Sequence, residues 1–395
     1  MPIPDSPKRD RRRFLLQCAA TGLAATTVTK FGTAAEGPAP ALIARAASTP
    51  RLVIDALGGI SNPNLPDDVQ EGAEQGIDAR SIADAKAAGL CAVNQTLGYV
   101  FGPATLAEQV AQTDRELTTW DALIAKHANS LLKVLGGKHI LQAQATKKIG
   151  VIYGFQNASM LGPDATRVAY YRDRGVRVIQ LTYNNRNQLG DGAMVAENRG
   201  LSDFGREVVH ALNKNRLLVD LSHSGENTCL DAIATSARPI ILSHTGCRAV
   251  ADLPRNKSDK ELRLVADKGG FVGIYFMPFL AIGRQPLAAD LIAHIEHAIK
   301  TCGEDHVGLG TDGTVSPIDD MPKYLAHLKK EVADRRAKGI SATGERDDIV
   351  PFLPDLSGKD KFTRLAELLA QRGHSSARID KILGGNFLRV ANEIW

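Results

Sequence analysis

Two histidines end short apolar runs, and this placement makes them the first candidates for chemistry. The runs Leu-Val-Asp-Leu-Ser-His and Ile-Ile-Leu-Ser-His finish at His223 and His244. Such runs are typical of strands buried on both faces of a parallel sheet, and residues 226–236 between them suit one crossover helix. Neighbouring strands would bring both imidazoles to one site, and neutral imidazole is the commonest metal ligand. The alternative is that each histidine caps a helix or strand and bonds only to backbone.

Other polar residues also follow predicted strands. They are Asp55, Gln156, Thr182 with Tyr183, and Asp312. A divalent ion held by imidazoles polarises a carbonyl and lowers the pKa of a bound water to roughly 7. A carboxylate such as Asp312 could take the proton of that water and return it to a leaving amine. The strand ends therefore predict a metal-assisted hydrolase.

Three further roles remain open on the sequence. Arg255, beside Asn256, is a candidate clamp for a substrate carboxylate, because guanidinium binds carboxylate in bidentate fashion, or else a surface arginine. Tyr183 could donate to an oxyanion or simply pack in its loop. Asp312 precedes a glycine and could serve only in a turn or helix cap.

The elements that must position these residues alternate between strand and helix along the chain. About eight strands are expected, over residues 51–55, 91–95, 148–156, 176–182, 218–223, 240–244, 270–276 and 306–312. This alternation favours a (β/α)8 barrel of the TIM type over an open doubly wound sheet. One amphipathic helix is expected over residues 104–133, a polar excursion over 319–348, and two C-terminal helices over 362–395 with a break at Gly384 and Gly385. Residues 47–395 are thus predicted to form a single barrel domain with C-terminal helices.

The first 46 residues indicate an export signal. They contain seven Lys or Arg and three Asp or Glu, and because the whole chain carries +4, the remainder has no net charge to attract nucleic acid. Arg11-Arg12-Arg13-Phe14-Leu15 is a twin-arginine pattern, followed by a weakly apolar stretch and a small-x-small site ending at Ala46. We expect recognition by the twin-arginine (Tat) export machinery and cleavage after Ala46 or near Ala35. No membrane span should remain afterwards, and we expect a periplasmic or extracellular location. The alternative is a basic tail with a chance Arg-Arg pair.

Four cysteines remain after this leader, at positions 91, 229, 247 and 302. Their spacing matches no zinc-binding pair, so they are expected to be buried thiols. A single disulfide stays an option in an oxidising compartment.

The order of several phrases resembles the membrane dipeptidase family, also called renal dipeptidase or peptidase family M19. They are Ile-Gly-Val-Ile-Tyr-Gly-Phe-Gln-Asn, Ile-Gln-Leu-Thr-Tyr-Asn, the two Ser-His runs, Pro-Arg-Asn, Val-Gly-Leu-Gly-Thr-Asp and Ile-Leu-Gly-Gly-Asn-Phe-Leu-Arg-Val. The resemblance covers about residues 51–395. It implies an amidohydrolase-type barrel with two zinc ions that cleaves dipeptides, and a homodimer as one option. It also implies that His223 and His244 bind one zinc, that Asp312 is the acid/base and that Arg255 holds the substrate carboxylate.

The sequence departs from that family pattern at the metal ligands. Leu57 and Gly59 replace the His and Asp of a His-x-Asp motif, and Gln156 replaces the glutamate that bridges the metals. Tyr183 stands where the family commonly has a histidine. A neutral amide cannot bridge two cations as a carboxylate does, so we expect at most one zinc ion, weakly bound by His223, His244 and the Gln156 oxygen.

The resulting functional prediction is a metal-dependent hydrolase of dipeptides or similar small amides. Asp312 and Tyr183 would be catalytic, and Arg255 and Asn256 would bind the peptide substrate. The alternative is a periplasmic, non-peptidase barrel that binds a peptide-derived natural product or helps to mature it. A purely structural protein is disfavoured by the polar strand ends.

Overall fold

The computed structural model describes residues 50–70 and 72–395, which contain a parallel β-barrel surrounded by helices. Its strand order is β1-β2-β4-β5-β6-β7-β8-β9, and the short β3 pairs with the first half of β4. The strands are β1 (Val53–Gly58), β2 (Leu90–Thr96), β3 (Leu131–Lys133), β4 (Ile149–Phe155), β5 (Val176–Gln180), β6 (Leu218–Asp220), β7 (Ile240–Thr245), β8 (Phe271–Ile274) and β9 (Val307–Leu309). The predicted (β/α)8 barrel is confirmed.

Hydrogen bonds between the two edge strands complete the ring. Just beyond β9, the Asp312 N–H donates to the Leu57 carbonyl at 2.8 Å, and the Gly59 N–H donates to the Gly313 carbonyl at 2.9 Å. The last strand end is thereby fixed against the first. This closure leaves the chain at Asp312 in contact with the end of β1.

Successive strand residues alternate between two buried layers. Ile54, Ala92, Ile152, Val178 and other inward side chains form one apolar cluster with the C-terminal helix. Their neighbours along each strand pack outward against the surrounding helices. Burial on both faces explains why the strands are apolar runs rather than alternating patterns.

The helices follow the strands, and several begin with a side-chain cap. Thr105 and Ser258, for example, form capping boxes with Glu108 and Glu261. The helices are α1 (Asp67–Gln70), α2 (Ala79–Ala87), α3 (Leu106–Lys126), α4 (Gly137–Ala145), α5 (Arg167–Asp173), α6 (Asp203–Lys214), α7 (Glu226–Thr235), α8 (Asp259–Asp267), α9 (Ala288–Cys302), α10 (Met321–Ala337), α11 (Lys361–Gln371), α12 (Ser376–Asp380) and α13 (Asn386–Ile394).

Two boundaries differ from the sequence prediction. The helix expected over residues 104–133 ends at Lys126, because its last segment pairs with β4 as strand β3. The break expected at Gly384 and Gly385 is absent. A π-helical turn over Lys381–Gly385 instead joins α12 to α13. An added Cβ at Gly384 would lie 2.6 Å from the Leu52 carbonyl oxygen, so close packing against β1 accounts for this glycine.

The polar excursion expected after β9 contains α10, and it packs near the C-terminal strand ends. Leu328 and Val332 of α10 are buried with Val350, and the rings of Tyr324 and Phe352 pack against them. This small apolar cluster anchors an otherwise polar helix. The excursion therefore supplies part of the wall around the strand ends.

Residues 1–46, with the predicted export signal, lie outside the described residues. In the described part, no helix is both long and apolar enough to cross a bilayer. The four cysteines there are unpaired thiols, three of them buried.

Gly310, just after β9, packs closely against β7, and this contact gives a first prediction. A Cβ added at Gly310 would lie 1.9 Å from the Ser243 carbonyl oxygen, so Gly310→Ala should overpack the barrel and lower the free energy of unfolding by about 1–3 kcal/mol. Urea unfolding measures this change. Gly136→Ala is the control, because no atom lies within 4 Å of its added Cβ. Equal stability of both variants would contradict the prediction.

Candidate active site at the strand ends

A buried carboxylate ties the two Ser-His segments together. Asp220 Oδ1 accepts from the Ser222 hydroxyl at 2.6 Å and from the N–H groups of Ser222 and Ser243 at 3.0 and 3.1 Å. Asp220 Oδ2 accepts from the Ser243 hydroxyl at 2.5 Å. Burial raises the pKa of Asp220, and these four hydrogen bonds oppose that shift. The serine of each Ser-His pair thus binds one shared carboxylate.

The Asp220 network sets the tautomer of His244, and Asn184 sets that of His223. Because the Ser243 hydroxyl donates to Asp220, it can only accept from His244 Nδ1, 2.8 Å away. His223 Nδ1 donates to Asn184 Oδ1 at 2.7 Å. Both protons therefore lie on Nδ1, and both Nε2 atoms keep a lone pair. Each Nε2 is buried and has no hydrogen-bond partner within the described residues.

The two imidazoles lie side by side and are neutral. Their ring centroids are 4.9 Å apart, and both residues are almost completely buried. Burial lowers the pKa of both rings well below its usual range, and the nearby positive charge of Arg255 lowers it further. Two adjacent neutral nitrogens with free lone pairs are suited to binding a cation.

Aromatic rings continue from His223 toward the excursion. Tyr183 stacks on His223 with centroids 4.2 Å apart, and Phe101 stacks on Tyr183 at 5.5 Å. The Arg335 guanidinium lies 5.8 Å from the Phe101 centroid and pairs with Glu345 at 3.0 Å. This stack holds the His223 ring in place and connects it to α10.

Arg255 is buried, which excludes the surface-arginine interpretation. Its side chain is about 1% exposed, Nη1 donates to the Ser222 carbonyl at 2.5 Å, and Nη2 has no partner within the described residues. A buried guanidinium with a free donor edge facing a cavity is suited to binding an anion.

Asn256, which was predicted to bind the substrate, instead forms hydrogen bonds to other parts of the protein. Its amide nitrogen donates to the carbonyls of Ala251 and Phe279, at 2.7 and 2.9 Å, and its oxygen accepts from the Tyr275 hydroxyl. The side chain is completely buried. Asn256 therefore holds the loop that carries Arg255, and neither of its polar atoms is free for a ligand.

Asp312 has an unusual backbone and a shifted pKa. Its φ of 55° lies in the left-handed region, which Asp tolerates better than most residues but which still costs energy. Burial raises the pKa of Asp312 to about 6; Arg255 and Arg335 oppose this shift, and Asp55 reinforces it. A carboxyl group with this pKa can both take and return a proton near neutral pH.

The predicted first-strand acid is already occupied by protein groups. Asp55 Oδ1 accepts from the N–H groups of Thr311 and Leu57, and Oδ2 accepts from the Thr311 hydroxyl at 2.6 Å. Burial raises the pKa of Asp55. Thr182, another expected strand-end residue, is buried and bonds to the Ser224 hydroxyl at 3.0 Å. Asp55 and Thr182 therefore form hydrogen bonds that connect neighbouring strand ends.

One cavity of about 320 Å³ brings most of the predicted residues together. Gln156, Tyr183, His223, Arg255 and Asp312 line it, and residues of α10 and the loop after it form the opposite wall. His244 lies behind His223 and is fully buried. The volume suits a ligand of the size of a small peptide.

The donors at this cavity suit one metal ion rather than a pair. The described residues contain no group of three or more His, Cys, Asp or Glu that could hold a metal. The two Nε2 lone pairs are available, and Gln156 could add its neutral Oε1, because its Nε2 donates to Thr96 Oγ1 at 2.8 Å. Leu57 and Gly59 offer no side-chain donor. These residues fit a single ion held by two imidazoles and do not fit a carboxylate-bridged pair.

Four contributors to the site were missed on the sequence. They are Asn184, Phe101, Arg335 and the Asp220 carboxylate with its two serines. Only the last had a local signal, since both runs place a serine directly before the histidine. Phe101 and Asn184 lie on separate loops and Arg335 lies on α10, and these segments come together only in the fold.

A barrel with histidines, a carboxylate and an arginine at its C-terminal strand ends defines the amidohydrolase class of enzyme folds. The model of the membrane dipeptidase family, peptidase family M19, matches residues 84–338. The chain belongs to the membrane dipeptidase family.

Individual relatives agree with this assignment. The chain is 28% identical over 252 residues to dipeptidase tcpJ of Claviceps purpurea, covering 62% of this chain but about half, 51%, of that protein. It is 27% identical over 293 residues to an uncharacterized protein in the pqqA 5' region of Klebsiella pneumoniae, covering 71% of this chain and 95% of that protein. Among solved structures, an amidohydrolase from Pseudomonas aeruginosa is 30% identical, with a TM-score of 0.71 and coverage of 87% of this chain and 97% of the other.

The Asp220 network gives a second prediction. Asp220→Asn replaces an acceptor by an amide nitrogen that cannot accept from a serine hydroxyl, so one buried donor loses its partner. The free energy of unfolding should fall by roughly 1–3 kcal/mol, measured by urea denaturation. The exposed Asp334→Asn is the matched control and should stay within about 0.5 kcal/mol of the parent. A stable Asp220→Asn protein would contradict the proposed sharing of this carboxylate.

Proposed function

We propose that this protein hydrolyses dipeptides or similar small amides with the help of one divalent metal ion. The observation that carries the proposal is a cavity in which the free Nε2 atom of His223 and the free donor of Arg255 lie beside Asp312, a carboxyl group of raised pKa. The Nε2 atom of His244, on a ring 4.9 Å from that of His223, also has no partner among the described residues. Membership of the membrane dipeptidase family and the dipeptidase name of one relative support it.

His223 and His244 would hold the ion, with Gln156 Oε1 as an additional neutral ligand. When bound, a divalent ion polarises a carbonyl and makes a water molecule acidic enough to react near neutral pH. Zinc is the ion that suits two imidazoles best among the common metals of hydrolases. With neutral ligands alone, the site should bind zinc more weakly than a site with carboxylate ligands.

The chain's own residues would orient the substrate and move the proton. Arg255 Nη2 would bind the C-terminal carboxylate of a dipeptide, because it is a buried donor without a partner. Asp312 would accept the proton of the attacking water and pass it to the leaving amine. Burial raises the pKa of Tyr183, so its phenol stays protonated and can donate to the developing oxyanion.

A second function is favoured by the loss of metal donors. Asp55 is occupied by Thr311, and Leu57, Gly59 and Gln156 supply no charged ligand. A barrel that binds a peptide-derived natural product, or assists its maturation without cleaving it, would keep Arg255 and the cavity while dispensing with the metal.

We also propose export by the twin-arginine route to a periplasm or cell exterior. The support is the leader sequence with Arg11, Arg12 and Arg13. Fractionation of cells that express the full chain tests it, and a variant with Arg11, Arg12 and Arg13 replaced by Lys should stay inside the cell.

Metal content and turnover of the purified mature protein test the main proposal. About one equivalent of zinc and hydrolysis of members of a dipeptide panel are expected. His223→Ala should lose both, whereas Asp312→Asn should keep the metal and lose activity by roughly 10²–10⁴-fold. Two equivalents of zinc would contradict the single-ion site. Absence of both metal and turnover would leave the binding role.

The pH dependence of kcat/KM gives a separate prediction. Burial raises the pKa of Asp312 to about 6, so the carboxylate is present above that pH and is lost as the pH falls through it. The value of kcat/KM should therefore fall about tenfold per unit below roughly pH 6. An acid limb that starts only near pH 4, or that persists in Asp312→Asn, would contradict this role.

A further inference from the structure

A second cavity, of about 460 Å³, adjoins the first one at Asp312. Asp312 and Pro351 line both cavities. The walls of the second cavity are largely apolar, with the aromatic rings of Phe276, Tyr324 and Phe352 and several prolines. Met321 and Tyr324 of α10 and several residues between 351 and 358 form part of this wall, so it depends on segments outside the barrel.

Lys361 is the one cation that lines this second cavity within the described residues. The residue is about 3% exposed, and its ammonium donates one hydrogen bond, to the Thr314 carbonyl at 3.0 Å. The ammonium also lies 5.7 and 5.1 Å from the ring centroids of Phe276 and Phe362. Lys361 forms no ion pair with any of the described residues. An ammonium has three donors, so two of them have no hydrogen-bond acceptor here.

Burial of a cation with unused donors costs free energy, and an incoming anion would offset that cost. Burial lowers the pKa of Lys361 to about 8, and Asp55 opposes that shift. Most of the Lys361 population is therefore protonated at neutral pH. The hydrogen bonds of Asp55 to Thr311 and Leu57 leave that carboxylate fixed to the strand ends rather than paired with the lysine.

The position of Asp312 between the cavities determines which part of a substrate would reach Lys361. The first cavity contains Arg255, the proposed clamp for the C-terminal carboxylate. If the scissile amide lies at Asp312, the C-terminal residue occupies the first cavity. The N-terminal residue is then directed to the far side of Asp312, where the second cavity lies.

We propose that the second cavity is a specificity site for the side chain of the substrate's N-terminal residue, and that it selects a long side chain ending in a carboxylate. The aromatic and proline walls would contact the aliphatic stem, and Lys361 would bind the anionic end. This inference rests on the proposed dipeptide hydrolysis for its orientation. Its binding component can be measured without turnover.

A comparison of Glu-Ala with Gln-Ala isolates the charge, because the two side chains have nearly the same shape. The parent protein should prefer Glu-Ala in kcat/KM by about tenfold or more, as expected for a charged hydrogen bond in a buried site. Lys361→Met should abolish the preference by lowering kcat/KM for Glu-Ala to the value for Gln-Ala. Lys361→Arg should retain most of it. Lys359→Met, an exposed lysine two positions away, is the matched control and should behave as the parent.

Calorimetric binding of both dipeptides to the Asp312→Asn protein separates the two proposals. A tenfold lower Kd for Glu-Ala than for Gln-Ala, lost when Lys361→Met is added, would support the specificity site. This holds even if the parent protein cleaves neither dipeptide. Lack of cleavage by the parent would contradict only the proposed function. Equal affinity and equal kcat/KM for Glu-Ala and Gln-Ala in the parent would overturn the specificity site. That comparison uses unaltered Lys361 and so holds even if Lys361→Met fails to fold.

Discussion

The sharing of one buried carboxylate by two neighbouring strand ends is the interaction on which the site depends. Asp220 accepts from the hydroxyl and backbone groups of Ser222 and Ser243, and each serine directly precedes a histidine. The closeness of the two imidazoles and the tautomer of His244 follow from this arrangement, whereas the hydrogen bond to Asn184 sets the tautomer of His223. An acceptor-only group at the centre is what forces the Ser243 hydroxyl to accept from His244. The proton is therefore kept off His244 Nε2, which has no hydrogen-bond partner among the described residues.

The residues that distinguish this chain from its family pattern form a consistent set. Leu57 and Gly59 lack donors, Gln156 is neutral, and Asp55 is fixed by Thr311 and the backbone of Leu57. The first strands thus contribute hydrogen bonds to their neighbours but few side chains that could bind a metal ion. The side formed by β6 and β7 retains both imidazoles. Asp55 is thus bonded to protein groups, whereas the Nε2 atoms of His223 and His244 have no partner among the described residues.

Much of the fold was predictable because strands buried on both faces leave a strong apolar signal. The alternation of strands and helices and the crossover helix between the two Ser-His runs, which is α7, were evident from the sequence. Strand β3 was not, because three residues at the end of a long amphipathic helix carry no periodicity of their own. The role of Asn256 and the stack of Phe101 on Tyr183 depend on contacts between distant loops, which local patterns do not encode. The sequence therefore indicated which polar residues lie at the strand ends better than it indicated which residues support them.

The left-handed backbone of Asp312 has a consequence for the evolutionary history of this barrel. A glycine would adopt the same φ of 55° without strain, so a descendant released from any chemical requirement would gain stability by accepting one. The aspartate found there makes this loop less stable than a glycine would. The identity of this one residue across homologous genomes would then mark the branches in which the barrel still performs chemistry and those in which it has become a scaffold.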